Sequence, residues 1–355
     1  MEHTLSNLNS EHTDSDTQNF SDSHADCSHS PSTEYSTSSF PNPSAPKKTI
    51  PRRFAIYKGL GQGSFGQVLL ASNADRDSQL GKLVALKLVK KKCLKKPQHI
   101  QHVKDEKDVL CRLPAHPHIL KLWETMSDKH FLYLNMEYFP GGDMWQLMNS
   151  FGRPFTEEEA KFYSAQIASG LHHLHKHDII YRDLKPDNIV IRANGHVALC
   201  DFGFAKHVRR QDGRTRTICG SIEFMAPEIF QGHPYTSAVD WWAFGALVYN
   251  FLVYAPPFDF SLDSIRRGIY GFPVDNTYSA SLRILIAGLL QKEPDRRSKG
   301  EKVCTHPWIT SAKHNSPPPW VPVPILRPPN AEVYINITNR GPNFEYEEGD
   351  LFAGF

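Results

Sequence analysis

Residues 177–190 read HDIIYRDLKPDNIV. Two short apolar runs, Ile179-Ile180 and Ile189-Val190-Ile191, have the length and branching of buried strands, and Arg182, Asp183, Lys185, Asp187 and Asn188 are packed between them. Two carboxylates, two cations and an amide in that position make either a polar surface loop or a catalytic one. The stretch alone leaves both open, and the chain around it has to decide.

Immediately upstream, Thr156 and Glu159 form a T-x-x-E capping box ahead of Tyr163, Ile167, Leu171 and Leu174, which share one helical face. A helix therefore delivers the chain to the loop. Downstream, the apolar run Val197-Ala198-Leu199 leads into CDFG, with Asp201, and later into APE, with Glu228. The stretch WWAFGALVYNFLVYAPPF from Trp241 is interrupted by Asn250 and closed by Pro256-Pro257, too short to span a bilayer. It is expected to be a buried core helix. Towards the N-terminus, FAIYKGLG, GQVLLASN and KLVALKLVK have strand texture and predict an antiparallel meander. Residues 99–113 carry Ile100, Val103, Val109, Leu110 and Leu113 at helical spacing, and HFLYLNMEYF is a further strand ending at Pro-Gly-Gly. The fold class expected is α+β with two lobes: a small antiparallel sheet with one main helix over 54–138, then a larger, mainly helical lobe over 139–310.

More than a third of residues 1–48 are Ser or Thr, with few apolar residues, so this arm cannot offset the entropy of ordering and is expected to be disordered. The tail, 311–355, is proline-rich from Ser316, in SPPPWVPVPILRPPN, and is expected to run extended over the surface. At 355 residues and 40% hydrophobic content the chain is too large for a simple binding module. A net charge of +2 argues against nucleic acid or an acidic membrane as the main partner. Six scattered cysteines form no C-x-x-C pair, which fits a reducing compartment. No signal pattern and no Gly after Met1 are present, so a cytoplasmic or nuclear location is expected.

Gly61, Gly63 and Gly66 form G-x-G-x-x-G followed by Val68. Alone the pattern fits a dinucleotide fold or a plain hairpin. Here it lies between two strands instead of opening a helix, which favours a loop covering nucleotide phosphates. VALK then puts Lys87 in an apolar strand, with Glu106 on the following helix as its candidate partner. Each tripeptide occurs widely by chance. The order of glycine loop, VALK, helix glutamate, RDLKPDN, DFG and APE is the strong signal, because phosphoryl transfer needs all of these parts together.

On these motifs residues 54–310 resemble the eukaryotic protein kinases. The resemblance implies ATP and Mg²⁺ as cofactors. It implies Asp183, Lys185 and Asn188 as the catalytic set, Asp183 taking or orienting the hydroxyl proton and Lys185 neutralising the transferring phosphate. Asn188 and Asp201 are the implied metal ligands. Around the nucleotide it implies Gly61, Gly63, Ser64, Phe65, Gly66, Val68, Ala85, Lys87, Glu106, Met136, Glu137, Phe139, Asp143 and Phe344. Thr217 is the implied activation-loop phosphosite, facing Arg182, Lys206 and His102. Lys185 points to serine/threonine kinases, and Tyr181 in place of the commoner histidine is shared by the AGC group (kinases A, G and C). DFGFAK, RTRTICGSIEFMAPE and VDWWAFG are similar to the cyclic-AMP-dependent branch, and Phe352 and Phe355 in DLFAGF match its F-x-x-F motif. A ribosomal-S6-kinase-like or other AGC identity, and a pseudokinase scaffold of the same fold, are the alternatives.

The resemblance further implies protein substrates with basic residues N-terminal to Ser or Thr, met by Asp143, Asp187 and Glu223, with Ser221, Ile218, Ile222 and Met225 lining the rest of the substrate site. Glu228, Asp240, Arg297, Phe352 and Phe355 have implied structural roles. An inhibitory regulatory subunit and an upstream activating kinase are the implied partners. The pattern departs at three places: the chain is several residues short between Phe258 and Phe272, Ile222 replaces a usual proline, and Asn250 replaces a glutamate that contacts arginine at P−2. Three further features have plain readings. HHLHKH, with His172, His173, His175 and His177, is expected to be a solvated helix end, not a metal tract. LVKKKCLKK is expected to be a solvated basic run. Cys200 is expected to be a packed thiol.

Overall fold

Alternating apolar residues build the small lobe. The computed structural model describes residues 52–63, 65–73, 83–208, 213–258, 264–265, 270–271, 278–313, 333–337 and 352. The expectations for the arm 1–48, for Ser64, Phe344 and Phe355, and for most of the 258–272 loop lie outside them. By contacts the chain divides into two units, Met1–Pro46 and Lys47–Phe355, and every described residue belongs to the second.

Strands β1 (Arg52–Gly63), β2 (Gly66–Asn73), β3 (Leu83–Lys90), β4 (Leu122–Ser127) and β5 (Phe131–Glu137) form an antiparallel sheet, with helix α1 (Pro97–Arg112) inserted between β3 and β4. Successive side chains on a strand point to opposite faces. On β3, Val84, Leu86 and Leu88 turn to one side and pack with Phe54, Leu69, Met126 and Tyr133 in a small core of their own. Ala85 faces the other way, and with Leu134 and Met136 of β5 it belongs to the main core that continues into the large lobe. The tail departs from expectation here. Residues 333–337 form strand β10 (Val333–Ile337), which pairs antiparallel with β1 and gives the sheet order β10-β1-β2-β3-β5-β4. The small lobe is thus not closed within 54–138. The VYINI stretch has the β-branched and aromatic residues of a strand, but the prolines before it obscured that signal.

The large lobe follows with helices α2 (Met144–Phe151) and α3 (Glu157–Lys176). The Thr156 hydroxyl accepts from the Glu159 N–H at 3.3 Å while the Glu159 carboxylate accepts from the Thr156 N–H at 2.7 Å, completing the capping box. Strands β6 (Ile179–Ile180), β7 (Ile189–Ile191), β8 (Val197–Leu199) and β9 (Lys206–His207) pair as β6 with β9 and β7 with β8. Helices α4 (Pro227–Phe230), α5 (Ala238–Val253), α6 (Ala280–Leu289), α7 (Glu301–Cys304) and α8 (Pro307–Thr310) complete the lobe. Helix α5 is buried almost all round, including Trp241, Trp242, Phe244 and Phe251. Among the described residues no helix is long and apolar enough to cross a membrane. A bidentate pair ties the lobe together from residues far apart: Arg297 donates to both Glu228 oxygens at 2.7 and 3.0 Å, and also to the carbonyls of Ala238 and Gln291. Both side chains are buried, and every charge is matched, as burial requires.

Candidate active site

The opening loop is held by strands at both ends and strained in the middle. Arg182 has φ +70°, a left-handed conformation that a side chain with a Cβ rarely takes. Asp240 of α5, 1% exposed, fixes that turn. Its carboxylate accepts from the N–H groups of Tyr181 and Arg182, both at 2.8 Å, and meets His175 Nε2 at 2.7 Å. The Tyr181 hydroxyl donates to the Cys200 carbonyl, joining the loop to the strand end before Asp201.

With its backbone so fixed, the loop gathers its polar side chains around Asp183, itself 4% exposed. One carboxylate oxygen, Oδ1, accepts from the Ser221 N–H at 3.0 Å and the Ser221 hydroxyl at 2.9 Å. The other, Oδ2, accepts from Asn188 Nδ2 at 2.7 Å and lies 3.2 Å from Lys185 Nζ. Lys185 Nζ also donates to the Ser221 hydroxyl at 2.9 Å. Gly220, at φ +101°, brings Ser221 in: a Cβ there would lie 2.3 Å from the Arg182 carbonyl oxygen.

Above this cluster, antiparallel register places directly opposed residues on one face of the sheet. Val68 opposes Lys87, and Ala85 opposes Met136, so these four share the face turned to the large lobe. Leu134, opposite Lys87 on β5, joins them. It was missed by the sequence reading because nothing local marks one leucine of an apolar strand. Lys87 Nζ donates to both Glu106 oxygens at 2.6 and 2.8 Å and lies 3.7 Å from Asp201 Oδ1. Burial works against the Lys87 charge, but Glu106 and Asp201 outweigh it and raise its pKa. Lys87 in turn is the main reason that the Asp201 carboxyl is held below its usual range. Asp201 is left-handed, at φ +52°, and Phe202 beside it is fully buried against the Tyr181 ring.

The loop glycines differ in role. Gly61 would meet nothing within 4 Å if given a Cβ, whereas a Cβ on Gly66 would sit 1.7 Å from the Leu88 carbonyl oxygen. Gly66 is required by close packing of β2 on β3, and Gly61 leaves its surroundings open to a ligand. Phe139 is buried beneath Arg192. The Glu137 side chain is committed to Arg192 at 3.0 and 3.2 Å, a long-range pair that the sequence did not signal. The Asn188 amide and the Asp201 carboxylate have hard oxygen atoms of the kind Mg²⁺ takes and would be the residues to hold it. Among the described residues no group of three or more His, Cys, Asp or Glu could hold a metal.

Of the residues implied for the phosphosite and the substrate, Thr217 is exposed, and its carbonyl accepts from the Tyr235 hydroxyl at 2.5 Å, which is 3.4 Å from Arg182 Nη1. Lys206 donates instead to Thr215, a buried threonine that the sequence reading passed over. His102 packs edge-on against Phe204, and burial lowers its pKa, with Arg182 adding to the effect. Asp143 caps α2 by accepting from the Gln146 N–H at 2.8 Å. Burial raises its pKa, and Asp187 repels it further. Asp187 and Glu223 are exposed, as are Ile218 (46%) and Ile222 (51%), while Met225 is buried. Asn250 is buried, and its Oδ1 has no hydrogen-bond partner among the described residues. Phe352 is buried, with Lys91 5.3 Å from its ring centroid. Cys200 is half-buried beside Asp201, and burial raises its thiol pKa. The histidines of the HHLHKH tract go to separate partners: His172 to Glu301, His173 to the Pro114 carbonyl and His175 to Asp240.

A strained loop around a carboxylate, lysine and asparagine, facing an ion-paired lysine under a glycine hairpin, is the architecture of a phosphoryl-transfer site. The protein kinase domain matches residues 54–309, so the chain belongs to the protein kinase family. Over 72% of its length it is 37% identical to Protein kinase 2 of Dictyostelium discoideum, covering 53% of that protein. It is 36% identical to cAMP-dependent protein kinase type 3 of Saccharomyces cerevisiae, covering 64%, and 38% identical to serine/threonine-protein kinase Sgk1 of Xenopus tropicalis, covering 60%. These relatives place it in the AGC group. The chain spans less than two thirds of the length of each.

Proposed function

We propose that the protein transfers the γ-phosphoryl group of Mg²⁺·ATP to serine or threonine hydroxyls of proteins. The observation that carries this reading is the Asp183 cluster. A carboxylate held at both oxygens by Ser221, Asn188 and Lys185 is fixed in position to orient a hydroxyl and take its proton, while Lys185 stands 3.2 Å away to offset charge on the moving phosphoryl group. Lys87, oriented by its pair with Glu106, binds the nucleotide phosphates, and Asn188 with Asp201 would hold Mg²⁺, which would draw charge from the phosphate oxygens. Thr217 is the activating phosphosite in this reading. Its backbone already shares a bond network with Arg182 through Tyr235, and a phosphate dianion there would draw in Arg182, Lys206 and His102.

The enzyme in this reading is basophilic, preferring substrates with arginine at P−3 over P−2 and a hydrophobic residue at P+1. Support comes from Asp143 and Asp187, two carboxylates close enough to repel, a pairing that a guanidinium between them would relieve. Exposed Ile218 and Ile222 offer an apolar P+1 surface. Asn250 supplies no charge for P−2. Exchanging a charge-assisted contact for a neutral one forfeits about 1.5 to 3 kcal/mol, roughly 10- to 100-fold in kcat/KM. Peptides differing by Arg→Ala at P−3 or P−2 test this in wild type and in Asn250→Glu. The expected result is the larger loss at P−3 in wild type and a gain at P−2 in Asn250→Glu. An equal or larger loss at P−2 in wild type overturns the specificity, and absence of any phosphorylated Ser or Thr peptide overturns the activity.

A further inference from the structure

The basic run that starts at the end of β3 is solvated, and three of its lysines share a cavity. Lys90, Lys91 and Lys92 meet Lys129 and His130 of the β4–β5 turn and Phe131 at the start of β5 around a cavity of about 370 Å³, with no acidic residue among its described lining residues. Its walls are fixed. Lys90 is paired with Phe131 in the sheet register, the Lys91 N–H donates to the His130 carbonyl at 2.9 Å, and residues 91–93 form a short 3₁₀ turn. The nearby acid, Asp128, is consumed by its own turn. Its carboxylate accepts from the N–H groups of His130 and Phe131, both at 2.7 Å, and from the Tyr133 hydroxyl at 2.6 Å. Among the described residues none of the four lysines is paired with a carboxylate, and Lys91 alone has a partner, the Phe352 ring. Lys90, Lys92 and Lys129 are exposed and ready for a ligand from solvent.

Four like charges held around one small cavity repel one another, and an anion that neutralises them removes that cost. The shape limits which anion. Alternate carboxylates on an extended peptide stand roughly 6 to 7 Å apart, which is sparse for so compact a wall. Lysine ammoniums are compact point charges without the planar fork that arginine offers to a single oxyanion pair, and they suit a ligand with phosphates on several sides. We propose that the cavity between the end of β3 and the β4–β5 turn binds an anion carrying several clustered phosphomonoesters. Such a ligand could come free in solution or as a phosphorylated lipid headgroup. Because Lys91 also covers Phe352, occupancy would bear on the seat of the tail.

The test uses the full chain, with the nucleotide cleft saturated by a non-hydrolysable ATP analogue. Inositol hexakisphosphate is the soluble probe, inorganic phosphate the single-phosphate control, and a single-stranded oligonucleotide the phosphodiester control. Vesicles of phosphatidylcholine with phosphatidylinositol bisphosphate are compared with phosphatidylserine vesicles of equal charge. Wild type should bind inositol hexakisphosphate at least tenfold more tightly than either control and melt at a higher temperature with it. The double variant Lys92→Glu, Lys129→Glu should lose at least tenfold in affinity and the whole thermal shift while melting normally alone. Preference for the bisphosphate vesicles over phosphatidylserine makes the headgroup the source, and binding of the soluble probe without that preference makes the source a free polyphosphate. Equal binding by wild type and variant, or equal binding of the oligonucleotide, overturns the site.

Discussion

Asp183 and Asp201 are both carboxylates beside Lys185 and Lys87, yet their surroundings differ, and so do the roles proposed for them. Asp183 is buried and its oxygens face donors on both sides, Ser221 on one and Asn188 with Lys185 on the other. In Asp183→Asn one oxygen becomes an NH₂ group pointed at a donor whichever way the amide is turned, so geometry and proton acceptance are lost together. Turnover should fall roughly 10²- to 10⁴-fold, the usual worth of a positioned acid–base group, while nucleotide affinity stays near that of wild type. Asp201 has a half-exposed side chain whose charge is stabilised by Lys87. Asp201→Asn should weaken Mg²⁺-dependent nucleotide binding as well as turnover. Steady-state rates on a basic peptide, with nucleotide titration followed by fluorescence, separate the two, and near-normal turnover in Asp183→Asn would falsify the assignment.

Elements that close on themselves were legible in the sequence, and those that depend on a distant partner were not. The capping box of α3 joins Thr156 to Glu159, which spacing alone marks, and the Asp183 cluster starts with Asn188 five residues on, inside the motif that carries the family resemblance. Asp240 reaches back 58 and 59 residues to the loop, Glu137 pairs with Arg192 across 55, and β10 joins β1 from the far end of the chain. No local pattern specifies such pairings. The histidines at the end of α3 are a further case, since their partner lies before β4. His116 stacks on His173 with ring centroids 4.6 Å apart, His173 meets His177 at 4.5 Å, and the Ser169 hydroxyl lies 3.3 Å from His116 Nε2. Burial, with the neighbouring rings of His173 and His118, lowers the His116 pKa from 6.5 to about 4. Between those values the unfolded chain takes up a proton that the folded stack refuses, so stability is intact above pH 6.5 and falls as the pH drops towards 4. Burial lowers the His173 pKa too, adding to the same slope. His116→Phe keeps a ring in the stack without a titrating group. Its melting temperature should fall less steeply than that of wild type across this interval, and parallel curves would remove His116 from the account.

Across the whole molecule, the underside of the small-lobe sheet belongs to the same core as α3 and α5, and the upper side has a separate small core. The small lobe thus depends on parts of the chain well outside 54–138. Strand β10 lengthens its sheet, and Phe352, 7% exposed, packs into the shared core beneath Lys91. Lys91 lies just past β3, the strand that carries Lys87, and α1, which carries Glu106, follows shortly after. The ring is therefore placed to hold together the pieces that bring Lys87 to Glu106. Truncating a buried phenylalanine to alanine costs about 3 to 5 kcal/mol in a packed core. Phe352→Ala should lower the melting temperature by several degrees and, by loosening the Lys87–Glu106 pair, raise KM for ATP. Phe352→Leu refills most of the volume without a π face for Lys91, so it should recover most of the melting temperature. Thermal unfolding and ATP titration of both variants check this. A Phe352→Ala protein that melts and binds ATP as wild type does would show that the tail ring is seated without supporting the lobe.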